Sequence, residues 1–324
     1  MTRTAVPVQG QRTPRRIAPA VGLVFLAPLV GEYLLGNIPI EGLWAIPFLA
    51  PMYGGGALLI REVARRAGHG WPTIILLACA YGVLQPGVLD QSLFNPSFEG
   101  HDFQSAAQIP ALGIGAVSAL TFVGGHAIWS IGVPIAIVEA LVPGRRTTRW
   151  LGDAGLAVTG VVFLLGSFII FNDLRETEQF MASAPQLAGA GAVTVALVGV
   201  AFAIPRRPRP ASDRHAPNRW LVGAVAFLAA GAFFAKPESW AGVAMASVLV
   251  AAMAVVVSRW SRRAGWGPSH RLALAGGALL TYAWGGFVLL AIEGDANTVN
   301  LLGQTILVLG ALALLLAAGR SART

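Results

Sequence analysis

Six side chains able to bond, ionise or exchange protons fall inside otherwise apolar stretches near the start of this chain: Glu32, Tyr53, Tyr81, Gln85, His126 and Ser130. An ionisable group at the centre of a bilayer costs about 2.5 to 3.5 kcal/mol, so each such residue raises a functional question. Together they suit recognition of a small polar solute. The carboxylate and imidazole can take or give a proton, while the amide and hydroxyls donate and accept hydrogen bonds. Depth decides whether they can meet. With a rise of about 1.5 Å per residue, Glu32 lies about 22 Å into a span that starts at residue 17, and Gln85 comes out level with it. His126 falls about 15 Å below the outer edge of a span running inward from residue 116, with Ser130 one turn deeper on the same face. Tyr53 and Tyr81 sit near mid-depth. One cavity in the outer half of a helix bundle would collect all six as ligand-binding residues.

The same inventory excludes several chemistries. His126 is the single histidine within a span, since His69, His101, His215 and His270 fall in loops, and a zinc site wants about three protein ligands. No metal site and no cofactor is expected. There is no GxSxG elbow, no Walker loop, no GxGxxG after a strand and no pair of intramembrane aspartates, so no catalytic residues are assigned and a non-enzymatic role is favoured. Cys79 stands alone and forms no internal disulfide.

Phe122-Val123-Gly124-Gly125-His126 resembles the FxxxH element of the CAAX-protease and bacteriocin-processing family of intramembrane proteases. The resemblance covers about residues 71–142. In that family a preceding helix carries two successive glutamates followed by an arginine. Here Gln85 and Pro86 stand where the pair is expected, and neither accepts a proton from water. The resemblance therefore implies a relative that has lost peptidase chemistry and kept a polar cavity, acting as a binding or scaffolding protein. An accessory membrane subunit without a ligand is the third alternative.

The elements that must position these residues are apolar helices. The chain has 324 residues, 55% of them hydrophobic and 12% charged, which places it among membrane proteins. Ten runs are long enough to cross a hydrocarbon core: 17–36, 43–61, 71–90, 116–142, 151–171, 187–205, 220–235, 239–258, 272–292 and 299–319. They are continuously apolar, without the period-two alternation of a β-barrel, so the expected fold is an all-α, polytopic transmembrane helix bundle. In the second run Pro47, Pro51 and Gly54-Gly55-Gly56 predict a broken helix, a device that lines substrate sites in transporters. Small residues such as Gly189, Gly191, Gly276 and Gly277 predict close helix packing. The polar residues divide the chain into a tail (1–16), a polar four-helix half (17–143), a linker (144–150), an apolar six-helix half (151–319) and a short C-terminal tail (320–324). The acidic and aromatic loop 91–103 is placed outside, where it can lie over the bundle mouth.

Charge orients the bundle. Of 23 Lys and Arg residues, all but Arg175 and Lys236 fall in every second gap between the apolar runs. The positive-inside bias then puts both termini and the arginine-rich loops in the cytoplasm. Arg61, Glu62, Arg65, Arg66 and Glu139 lie at that inner end, spaced for interfacial salt bridges. The net charge of +8 is spread over six short loops rather than one face. Its expected partner is a bilayer with anionic headgroups, together with an unknown small solute, and not nucleic acid. Arginine outnumbers lysine 22 to one, which together with abundant Ala and Gly points to a bacterial plasma membrane.

Overall fold

The computed structural model describes residues 13–206 and 212–322. Arg3, Arg12, Arg207, Arg209 and Arg323 of the basic clusters lie outside the described residues. The fold is an all-α bundle of ten apolar helices: α1 (Ile17–Tyr33), α2 (Ile40–Arg66), α3 (Trp71–Leu89), α4 (Ala116–Leu141), α5 (Asp153–Glu178), α6 (Ala184–Ala203), α7 (Arg219–Phe234), α8 (Trp240–Trp260), α9 (Pro268–Ile292) and α10 (Thr298–Ser321). Eight are long and apolar enough to cross a membrane, and α1 and α7 are shorter. Most ends match the hydropathy reading within a few residues. The exception is α5, which runs on to Glu178 instead of stopping at residue 171 and ends on Gln179 in the left-handed conformation. Starts are set by side-chain caps: Ser183 with Gln186 for α6, Asn218 for α7, Ser239 for α8 and Asn297 for α10.

Burial sorts the helices. Over half of the apolar stretch is buried in α3, α4 and α9 (56%, 61% and 61%), against 17% in α5 and α10 and 11% in α6 and α8. The poorly buried group carries exposed Val, Leu, Ile and Phe side chains along its length, such as Val161, Leu164, Phe168, Val195, Val248 and Leu309. Such a surface requires a lipid solvent. The central place of α9 is not visible in its composition. It packs along α7, where Gly277 backs onto the Gly223 carbonyl, and against α4, where the Trp129 indole donates to the Ala278 carbonyl at 2.7 Å and stacks on Tyr282 at 4.3 Å. Gly189 and Gly191 do not serve packing as expected: a Cβ added at either meets nothing within 4 Å.

The second span is not broken. It starts as a 3₁₀ turn over Ile40–Ala45, then continues helically through Pro47 and Pro51 with a π-turn at Ala50–Gly54. Its glycines serve close approach instead. Gly54 lies against the backbone of Val24, Gly55 against Phe163 and Gly56 against the Tyr81 ring, where a Cβ would come within 2.7 Å. A π-turn is one of the local adjustments by which a spanning helix accommodates proline, and here it contains Pro51.

Loops meet loops of the same charge class. At the arginine-rich end, Arg206 bonds His69 and a short strand over Ser212–His215 pairs with one over Arg263–Ala264. At the opposite end, Asn95 donates to Glu178, His101 pairs with Glu293, and Asn297 and Asn300 donate to Glu41. Loop 91–103 is ordered there: Leu93 and Phe94 are buried, Gln91 accepts from the Ala182 amide at 2.6 Å, and Phe103 meets Phe122 edge-on at 5.2 Å. A two-residue hairpin follows, in which Gln108 pairs with Gly115 and Ile109 with Ile114.

Candidate functional site

Four helices carry a π-turn, and each π-turn holds one or more of the six polar residues. Glu32 lies in Leu29–Tyr33 of α1, Tyr53 in Ala50–Gly54 of α2, Gln85 at the start of Gln85–Leu89 in α3, and both His126 and Ser130 in His126–Gly132 of α4. A π-turn inserts a residue, widens the helix and loosens its carbonyl ladder, and it is found mostly at functional positions. Hydropathy carries no trace of it.

The geometry of the cluster is a directed chain. The His126 ring places Nδ1 at 2.7 Å from the Phe122 carbonyl, which can only accept, so in the neutral ring the proton sits on Nδ1 and Nε2 is the acceptor. Tyr53 therefore donates its hydroxyl to Nε2, at 3.4 Å. Its oxygen in turn accepts from the Gln85 amide, also at 3.4 Å, and that amide donates to Asp90 at 2.6 Å. Three rings close the site, with Tyr53 and His126 stacked at 5.8 Å and Tyr81 tilted against both at 6.2 and 6.0 Å.

Asp90 is the first residue past α3, and hydropathy alone gave it no role. Burial pushes its carboxyl up to about 7, against the opposing pull of the Ser92 amide and the Gln85 side chain. Glu32 is buried in the π-turn of α1, which packs against the π-turn of α4. It is held by Asn37, which donates to it at 2.8 Å. Ser130 stands beside this group, with its hydroxyl packed against Gly31. Tyr53 touches Tyr81, Gln85 and His126, and Tyr81 also touches His126. The site is compact. Two hollows stand out on the described surface, and neither is lined by these residues.

Two atoms in the cluster are anomalous. The Tyr81 hydroxyl and Gln85 Oε1 are buried, and neither has a hydrogen-bond partner among the described residues. A buried polar group left unpaired costs about 1 to 3 kcal/mol, so two in one place call for a reason beyond packing.

The arginine-rich end holds a second polar assembly, which is more deeply built than interfacial salt bridges. Arg61 and Glu62 are both 0% exposed. Arg61 bonds Glu62 at 2.5 Å, Glu139 at 3.2 Å and the carbonyls of Arg145 and Arg146 at 3.1 Å, and its guanidinium covers the Trp150 ring at 3.7 Å. Arg65 takes Glu139 with two bonds of 2.9 and 2.7 Å, and Glu62 accepts from the Trp150 and Leu151 amides. These bonds fasten the 143–153 connection to the end of α2. With Arg61, Glu62, Arg65 and Glu139 each paired, these four read as a structural clamp. Among the described residues no group of three His, Cys, Asp or Glu side chains is placed to hold a metal.

A family model described as "Uncharacterized membrane protein family" matches residues 22–320. The chain belongs to that family. Neither the curated proteins nor the solved structures contain a match, and the resemblance of the Phe122–His126 segment to CAAX proteases gains no support from these comparisons.

Proposed function

We propose that this membrane protein binds a small hydrogen-bonding solute at the Glu32, Tyr53, Tyr81, Gln85, His126 and Ser130 cluster, as a step in moving that solute across the bilayer. The observation that carries the reading is the pair of buried, unpartnered atoms, Tyr81 Oη and Gln85 Oε1, within a neighbourhood built by four π-turns. One atom donates or accepts and the other only accepts, so the fitting ligand offers at least one N–H or O–H donor. The compact site favours a ligand of a few heavy atoms. Asp90 adds a way to couple binding to a proton, since its carboxyl accepts from the Gln85 amide and is pushed up by burial to about 7.

The orientation we favour places the arginine-rich loops in the cytoplasm of a bacterial plasma membrane and the cluster toward the outer side, supported by the charge alternation and by loops meeting their own class. Thermal stabilisation of the purified protein by a panel of small amides, amines, alcohols and amino acids tests the binding reading. A solute that stabilises the wild type and fails with Gln85→Leu and His126→Ala supports it. If none of the panel stabilises the wild type, the reading fails for these classes.

A further inference from the structure

The arginine clamp leaves two of its neighbours with unused donors, and they face the same hollow. Trp71 at the start of α3, Glu139 of α4, Arg146 of the following connection, and Pro268 and Arg271 of α9 line a depression of about 10 Å³, room for one water-sized group. Both oxygens of Glu139 are already occupied by Arg61 and Arg65. Arg146 spends only Nε, on the Pro143 carbonyl, and Arg271 makes no side-chain hydrogen bond among the described residues. The Trp71 indole N–H is buried and has no acceptor. Arg271 has Glu139, Arg65 and Arg146 as its charged neighbours, so the surroundings remain positive after Glu139 is counted.

Every free group around this hollow is a donor, and the free charge is cationic. Two guanidiniums and an indole N–H can be satisfied together by one oxyanion. We propose that this hollow is a phosphate-binding site, in which one phosphate oxygen enters between Trp71 and the two arginines while the rest of the group lies over these partly exposed arginines. The phosphate belongs either to a phospholipid headgroup or to a free phosphate compound, because the chemistry is the same for both. This site is separate from the solute cluster and stands or falls without it.

The test uses the full-length protein, purified and delipidated, with two probes: retention of phosphatidylglycerol against phosphatidylcholine by native mass spectrometry, and titration with inorganic phosphate by calorimetry. At least one probe is expected to bind, with phosphatidylglycerol retained about tenfold over phosphatidylcholine if the source is lipid. Phosphate binding without lipid preference assigns a free phosphate compound; lipid preference without phosphate binding assigns the headgroup. In either case Arg146→Gln and Arg271→Gln should lose most of the binding, Trp71→Phe should weaken it several-fold, and Arg271→Lys should retain part of it. Trp71→Phe keeps an aromatic side chain, though a smaller one, and removes the N–H donor without changing the charge, so it reports on the site even if an arginine variant misfolds. Equal retention of the two lipids with no phosphate binding, or binding unaltered in Trp71→Phe and the arginine variants, overturns the proposal.

Discussion

The rings of Tyr53 and His126 stack 5.8 Å apart with 16° between their planes, and the tyrosine hydroxyl points to Nε2 at 3.4 Å. The two residues are 73 positions apart in the chain and sit in π-turns of different helices. Because the Phe122 carbonyl fixes the proton on Nδ1, the tyrosine is the donor and the contact has a direction. Tyr53→Phe removes that donor and the acceptor for Gln85. Both bonds are long, so the expected loss is about 1 kcal/mol of stability, read by thermal unfolding in detergent. His126→Phe should cost more, since it also removes the 2.7 Å bond from Nδ1 to the Phe122 carbonyl.

Asp90 gives the cluster a pH dependence. Its carboxyl is raised by burial to about 7 in the folded chain from an ordinary value of 3.8. A group raised on folding contributes stability that is present below its unfolded pKa and is lost as pH rises through the folded one. Wild type should therefore lose stability progressively between about pH 4 and about pH 7 relative to Asp90→Asn, with the two curves differing least on the acid side and running parallel again above about pH 8. Parallel curves across that window would show that Asp90 is ionised in the fold throughout.

The clamp at the end of α2 should behave as a buried ion network. Glu139→Gln leaves Arg61 and Arg65 without their shared carboxylate and should cost about 3 to 5 kcal/mol. The Arg66–Asp153 pair makes the control. Its contact is as short as 2.5 Å, yet the Asp153 side chain is 89% exposed, so Asp153→Asn should leave the unfolding midpoint nearly unchanged.

Much of this was legible in the chain. Continuous apolar runs mark the helices, and counting residues from a span's edge puts Gln85 level with Glu32 and brings His126 and Tyr53 to about mid-depth. What was not legible has physical causes. A π-turn is a local shift from one carbonyl partner to the next, and it leaves hydropathy unchanged. The triple glycine after Tyr53 carries the same letters whether it breaks a helix or admits the Tyr81 ring, and only the neighbour decides. Gly277 in α9 and Gly191 in α6 are indistinguishable by composition, because lipid and protein interior are both apolar. That is why the central position of α9 was hidden, and why Gln304, which donates to the Leu34 carbonyl at 2.9 Å just past the π-turn of α1, had no signal. Asp90 was readable as polar but not as the partner of Gln85, since that pairing needs the π-turn between them.

Topology is open to direct labelling. With Cys79 replaced by Ala, a cysteine at exposed Ser97 should react with an impermeant maleimide added outside intact cells, and one at exposed Ser212 should react only after lysis. The reverse pattern would invert the bundle and place the polar cluster toward the cytoplasm.

The most direct test of the central claim is the unfolding midpoint of Tyr81→Phe, measured empty and with the best-stabilising solute of the panel. If the buried hydroxyl is kept for a ligand, its removal relieves an unpaired polar group, so the empty variant should match or exceed the wild type while the solute-induced shift is lost. A variant that is less stable when empty and still responds fully to the solute would contradict the account, because the hydroxyl would then be serving the fold.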